Sequence, residues 1–126
     1  MIIAMEAHDI RGTVDGLPEM EFRQLAPFNR GHVGVFWCTA GVSPWELHPE
    51  DEELLQVIEG EVDIEVLTDD GRVVTRVRAG SCFVVPRGLW HRHRVPEKLK
   101  ELYLTPGPSE MSTADDPRTE GSDDER

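Results

Sequence analysis

From about residue 20 onward, no apolar run in this chain is long enough to build a helix of several turns. β-Branched and aromatic residues come instead in short stretches, broken by turn-forming residues roughly every 8–12 positions. That rhythm predicts an all-β domain. The expected strands cover residues 21–26, 33–39, 43–48, 54–58, 61–67, 72–77, 81–85, 90–95 and 101–104. Val62, Ile64 and Val66 alternate with Asp63 and Glu65, so one face of that strand should meet a core and the other water. Asp69-Asp70-Gly71 separates it from the run Val73 to Val77, a hairpin signal with glycine where a positive φ is needed. Gly60 is expected to close a second tight turn. Pro86 and Gly88 interrupt the pattern between Val85 and Trp90, because proline has no place inside a central strand.

At 126 residues the chain is one domain, large enough to bury a core without a disulfide or metal staple. We divide it into an N-terminal segment (1–19), an antiparallel β-barrel (20–106) and an acidic tail (107–126). The opening Met-Ile-Ile-Ala-Met is followed by Glu6 and lacks the basic flank and long apolar run of a signal peptide, and no transmembrane span is present. Cys38 and Cys82 stand singly in apolar stretches and read as buried free thiols. A cytoplasmic protein is the resulting expectation. A formal charge of −12 argues against nucleic acid or an anionic membrane as partner, since both reward clustered Lys and Arg. From Ser109 on, seven acids face Arg118 and Arg126 with almost no apolar residue, a composition that predicts disorder.

The chemistry is concentrated in two blocks, residues 45–53 (Trp-Glu-Leu-His-Pro-Glu-Asp-Glu-Glu) and 80–91 (Gly-Ser-Cys-Phe-Val-Val-Pro-Arg-Gly-Leu-Trp-His). Residues two apart on a strand share a face, so Glu46 and His48 point together, as do His91 and His93, with Arg92 and Arg94 on the opposite side. Glu46, His48, Glu53 and His91 supply two carboxylates and two imidazoles, donors suited to Fe, Mn, Co, Ni, Cu or Zn. Gathered in a partly dry interior without a cation, the two carboxylates would be costly; a divalent ion cancels their charge. An empty site, with a carboxylate protonated or paired with arginine, is the alternative. His93 reads as a wall histidine or a support for a ligand. Glu50, Asp51 and Glu52 read as a solvated loop at the barrel mouth. Trp37, Trp45 and Trp90 read as packing, with one or two available to line a cavity.

These blocks resemble the paired motifs of the cupin family. His48, Glu53 and Gly60 fall at the spacing of the first motif, with Gly41 as its opening glycine. Gly80, Pro86, Gly88 and His91 match the second. Glu46 stands where the family has its first His, and Val95 where it often has Asn. The resemblance covers roughly residues 30 to 105 and implies a jelly-roll type barrel, a divalent transition metal (Fe, Mn, Ni, Cu or Zn), a small-molecule ligand or substrate and a homodimer. Its implied activities span dioxygenase, isomerase, epimerase, decarboxylase and lyase chemistry. The other class it admits is a non-catalytic binding or sensor module with an empty or degenerate metal site.

Overall fold

The computed structural model describes residues 5–119. A short helix, α1 (Ile10–Asp15), precedes eight strands: β1 (Arg23–Phe28), β2 (Gly31–Val42), β3 (Trp45–Leu47), β4 (Glu53–Thr68), β5 (Gly71–Arg78), β6 (Cys82–Val85), β7 (His91–Thr105) and β8 (Glu110–Ser112). All pairings are antiparallel and form one curled sheet. Its spine is β4 against β7, paired from Leu54↔Leu104 to Val66↔His91. On the far side of β4 lie β6, beside Glu53–Gln56, and β5, beside Glu61–Thr68. On the far side of β7 lie β2 and β3, flanked in turn by β1 and β8.

The all-β, antiparallel expectation holds, with two expected strand pairs fused. Residues 54–58 and 61–67 are one strand, and Gly60 sits inside it at an irregularity, not in a tight turn. With φ +83° and an added Cβ only 2.0 Å from the Lys98 carbonyl oxygen, residue 60 has to be glycine. The extra residue shifts the phase of β4: Glu53, Leu55 and Val57 are buried before it, Val62, Ile64 and Val66 after it. Residues 90–95 and 101–104 likewise join into β7, whose inward positions stay in one register through Val95, Leu99 and Tyr103. Between them, Pro96 lies beside a second irregularity in β2, at Thr39/Gly41. The bends in β2 and β4 thus flank the same level of β7 and curl the sheet around one apolar interior, which includes Phe36, Leu55, Val57, Ile64 and Leu99.

The outer face of β2 and β7 is covered by the N-terminal segment. Asp9 caps α1 by accepting from the Gly12 amide at 3.0 Å. Val14 and Leu17 then pack on Val35 and Leu102, and the Trp37 indole donates to the Leu17 carbonyl at 2.6 Å.

Three expectations are corrected. Glu65, placed on the water face by alternation, is 3 % exposed. It is held at 3.1, 3.0 and 2.7 Å by Arg72, Arg92 and Arg94. Cys82 is exposed, because its neighbours Phe83 and Val85 take the inward positions of β6; Cys38 is buried and both thiols are free. Composition predicts a disordered tail from residue 107, yet over residues 107–119 the chain pairs as β8 with β3, the Trp45 indole donates to the Asp115 carbonyl at 3.3 Å, and Arg118 donates to the Thr68 carbonyl at 3.1 Å. Main-chain pairing and polar contacts order this stretch, and composition does not register them. The acids Glu120, Asp123, Asp124 and Glu125 lie outside the described residues.

Glu65 is the most testable of these. Burial raises its pKa, but Arg94 and Arg92 outweigh that and hold the carboxyl below the usual range. Glu65→Gln should cost about 2–3 kcal/mol in urea unfolding, less than for a fully dry pair because Arg72 and Arg94 reach water. A depressed folded-state pKa contributes stability that is present above the unfolded value and lost below it. The difference between wild type and variant should therefore shrink as pH falls below about 4.3.

Candidate metal centre

β3 is short, but its register places the site. Glu46 pairs directly with His91, so the first donor of one block faces the last residue of the other across the sheet. His48 follows β3 and lies on the side of Glu46. Its carbonyl accepts from the Gly88 amide at 2.8 Å, which ties the Pro86–Gly88 turn to the first block. Gly88 has φ +77°, a conformation that glycine adopts without strain. Glu53 opens β4 opposite Val85, and Thr105 at the end of β7 donates to its Oε2 at 2.5 Å.

Four donor atoms converge, one each from Glu46, His48, Glu53 and His91, all within 4.8 Å of one another. Glu53 Oε1 lies 3.2 Å from His48 Nε2 and 3.1 Å from His91 Nε2; Glu46 Oε1 lies 3.3 and 3.6 Å from the same two nitrogens. His48, Glu53 and His91 are 2 %, 4 % and 1 % exposed, whereas the Glu46 side chain is 30 % exposed and forms the open side. These separations are of hydrogen-bond length without hydrogen-bond angles: both Nε2 atoms and Glu53 Oε1 are buried and make no hydrogen bond. Buried polar atoms are ordinarily satisfied. Orphaned lone pairs facing one centre fit a divalent cation bound by mixed nitrogen and oxygen donors. Burial lowers the His48 pKa, but Glu46 and Glu53 outweigh it and push it up to about 9. Burial likewise raises that of Glu53, and the two imidazoles hold it far below the ordinary carboxylate range.

The structure thus brings together all four candidate residues. His93 shares the inward face but belongs elsewhere: its Nε2 is 2.8 Å from Oε2 of Glu101, itself 1 % exposed. Burial lowers the His93 pKa and the Glu101 carboxylate more than restores it, to about 9; burial raises that of Glu101. Sequence reasoning missed Glu101. The available signal was its phase, a lone acid two residues from Leu99 and from Tyr103 on the apolar side of the strand. Trp45 and Trp37 lie outside the barrel interior, Trp45 under the Arg92 guanidinium at 4.3 Å from its ring centre and Trp37 against α1. Glu50 and Asp51 form exposed pairs with Arg30, as a solvated loop would.

A curled antiparallel sheet with two imidazoles and two carboxylates at one end of its interior defines a class of small β-barrels able to hold a metal. The family model described as the cupin domain matches residues 37–104, and the chain belongs to that family. It is 34% identical over 67 residues to germin-like protein subfamily 2 member 4 of Arabidopsis thaliana, covering 52% of this chain and 30% of that protein. The chain therefore spans less than a third of that relative's length. Among solved structures, a cupin-2 domain containing protein from Shewanella frigidimarina superposes with a TM-score of 0.59 at 23% identity, over 72% of this chain and 84% of that one. An oxalate oxidase in complex with the substrate analogue glycolate superposes at 0.52 with 24% identity, over 68% and 44%. Both share the fold. No helix among the described residues is long and apolar enough to cross a membrane.

The His93–Glu101 pair gives a test separate from the donor group. Glu101→Gln leaves a half-buried imidazole without its counter-charge and should cost about 3 kcal/mol in thermal or urea unfolding. A loss under about 1 kcal/mol, the ordinary worth of an exposed pair, would show that the pair is not dry.

Proposed function

We propose that this protein is a small metal-binding cupin in which Glu46, His48, Glu53 and His91 hold one divalent transition metal, Fe, Mn, Ni, Cu or Zn, beside a site for a small oxygen-bearing organic molecule. The observation that carries the reading is the convergence of three buried donor atoms without hydrogen bonds, with the partly exposed Glu46 on the open side. A metal held there supplies Lewis-acid polarisation or one-electron chemistry to an oxygen-bearing ligand, as dioxygenase- or isomerase-type reactions require. The chain's own part is to hold its donors rigid and to keep bulk water from three of them. Thr105 fixes the outer oxygen of Glu53, and the Gly88 amide fixes the backbone of His48. Glu46 stands at the solvent side, where a ligand arrives.

Likeness of fold to an oxalate oxidase in complex with the substrate analogue glycolate supports a small oxygen-bearing ligand. The acidic surface supports a partner other than nucleic acid. The same reading takes the protein to be a homodimer, joined through the open sheet edges at β1 or β5, and cytoplasmic, in keeping with two free cysteines.

Elemental analysis of protein prepared with each metal supplied decides the matter. Wild type should carry about one equivalent of metal; His91→Ala should lose most of it, and His93→Ala should keep most. Glu46→His replaces a charged oxygen donor with a nitrogen and should retain or tighten Ni or Zn. Wild type with no metal above background would sink the proposal and favour a non-catalytic ligand-binding module. Oxygen consumption with phenolic and keto-acid compounds would then separate an oxidase or oxygenase from a carrier.

A further inference from the structure

Ser109 lies beyond the stretch that matches the cupin domain, yet its hydroxyl oxygen is 2.9 Å from Nδ1 of His48. The chain reaches that point after leaving β7. The Gly107 amide donates to the Arg30 carbonyl at 3.3 Å, and β8 then runs along β3, with Glu110 opposite Leu47, Met111 opposite Glu46 and Ser112 opposite Trp45. β3 pairs with β7 at a single position, Glu46↔His91, but with β8 along its whole length. The strand that carries Glu46 and leads into His48 is therefore held mainly by chain from outside the matched domain.

The chemistry of the contact has a direction. A neutral imidazole carries one N–H; if Nε2 binds a metal, the proton must reside on Nδ1. An oxygen facing Nδ1 accepts that N–H and fixes both the tautomer and the plane of the ring. At 2 % exposure, His48 has little access to bulk water for this purpose. His91 differs: neither of its ring nitrogens makes a hydrogen bond to a described residue.

We propose that Ser109 is a positioning residue, and that residues 106–112 form a strap that aims His48 Nε2 into the donor group. The inference rests on the metal reading above, because aiming Nε2 matters only if a metal is bound there. Two measurements on the full chain separate the two claims. In metal-free protein, the His48 Nδ1 proton should be visible by imidazole 1H–15N correlation and slow to exchange in wild type and Ser109→Thr, and fast in Ser109→Ala. In a cobalt(II) titration followed by visible absorption, Ser109→Ala should bind about 10-fold more weakly than wild type, and Ser109→Thr near wild type. Ser109→Thr keeps the hydroxyl, so it reports on the contact even if Ser109→Ala folds poorly. Equal cobalt affinity in wild type and a folded Ser109→Ala overturns the strap while leaving the metal site standing. A wild type whose ring proton is held but which binds no cobalt overturns the metal reading, and the positioning role with it.

Discussion

A side chain at residue 60 would place its Cβ 2.0 Å from the carbonyl oxygen of Lys98, and the rest of the barrel depends on that closeness. The contact lets β4 and β7 stay paired while β4 carries an extra residue and changes which of its side chains face inward. Without the change of phase, Val62, Ile64 and Val66 could not share an interior with Leu55 and Val57. The bend also turns the two halves of the spine toward each other. His91 at the start of β7 and Thr105 at its end both come to act on the same group of donors, His91 directly and Thr105 through Glu53.

Much of this was legible in the residues. Period-2 alternation exposes strands, Pro86, Gly88 and His91 specify a turn that returns the chain beside the first block, and the resemblance to the paired cupin motifs adds Glu53, so the four donors could be named in advance. What was not legible is instructive. The shift of apolar positions from odd to even across Gly60 was present in the sequence, but a glycine between two short strands reads most simply as a turn. Glu65 alternates like a solvent residue, and only the pairing of β4 with both β5 and β7 brings three arginines onto it. The C-terminal segment failed for a different reason. Composition measures the apolar surface a segment can bury, and β8 is ordered by main-chain pairing to an otherwise unfilled edge.

Charge is sorted by face. Outside, the guanidinium groups of β5 and β7 collect around Glu65 and over Trp45, a compact basic patch on an otherwise acidic protein. Inside, the described ionisable groups of β7 are His91, His93, Glu101 and Tyr103, with Glu53 and Glu46 nearby, and none is a lysine or arginine. The interior can therefore balance its carboxylates only with imidazole protons or with a cation from solution. Histidine is the one side chain able to exchange the first for the second near neutral pH.

The four donors are assembled by long-range pairing. Glu46 and His91 meet through a pairing that closes a long stretch of chain, and Glu53 is held at the start of β4 opposite Val85 of β6. In a zinc finger the ligands lie close along the chain and the metal organises the fold. Here three of the four donors lie within residues 46–53, but the fourth, His91, is brought to them by the pairing of β3 with β7. A cation entering this group would meet donors that backbone pairing alone already holds within 4.8 Å of one another, so the information that selects this topology resides in those pairings.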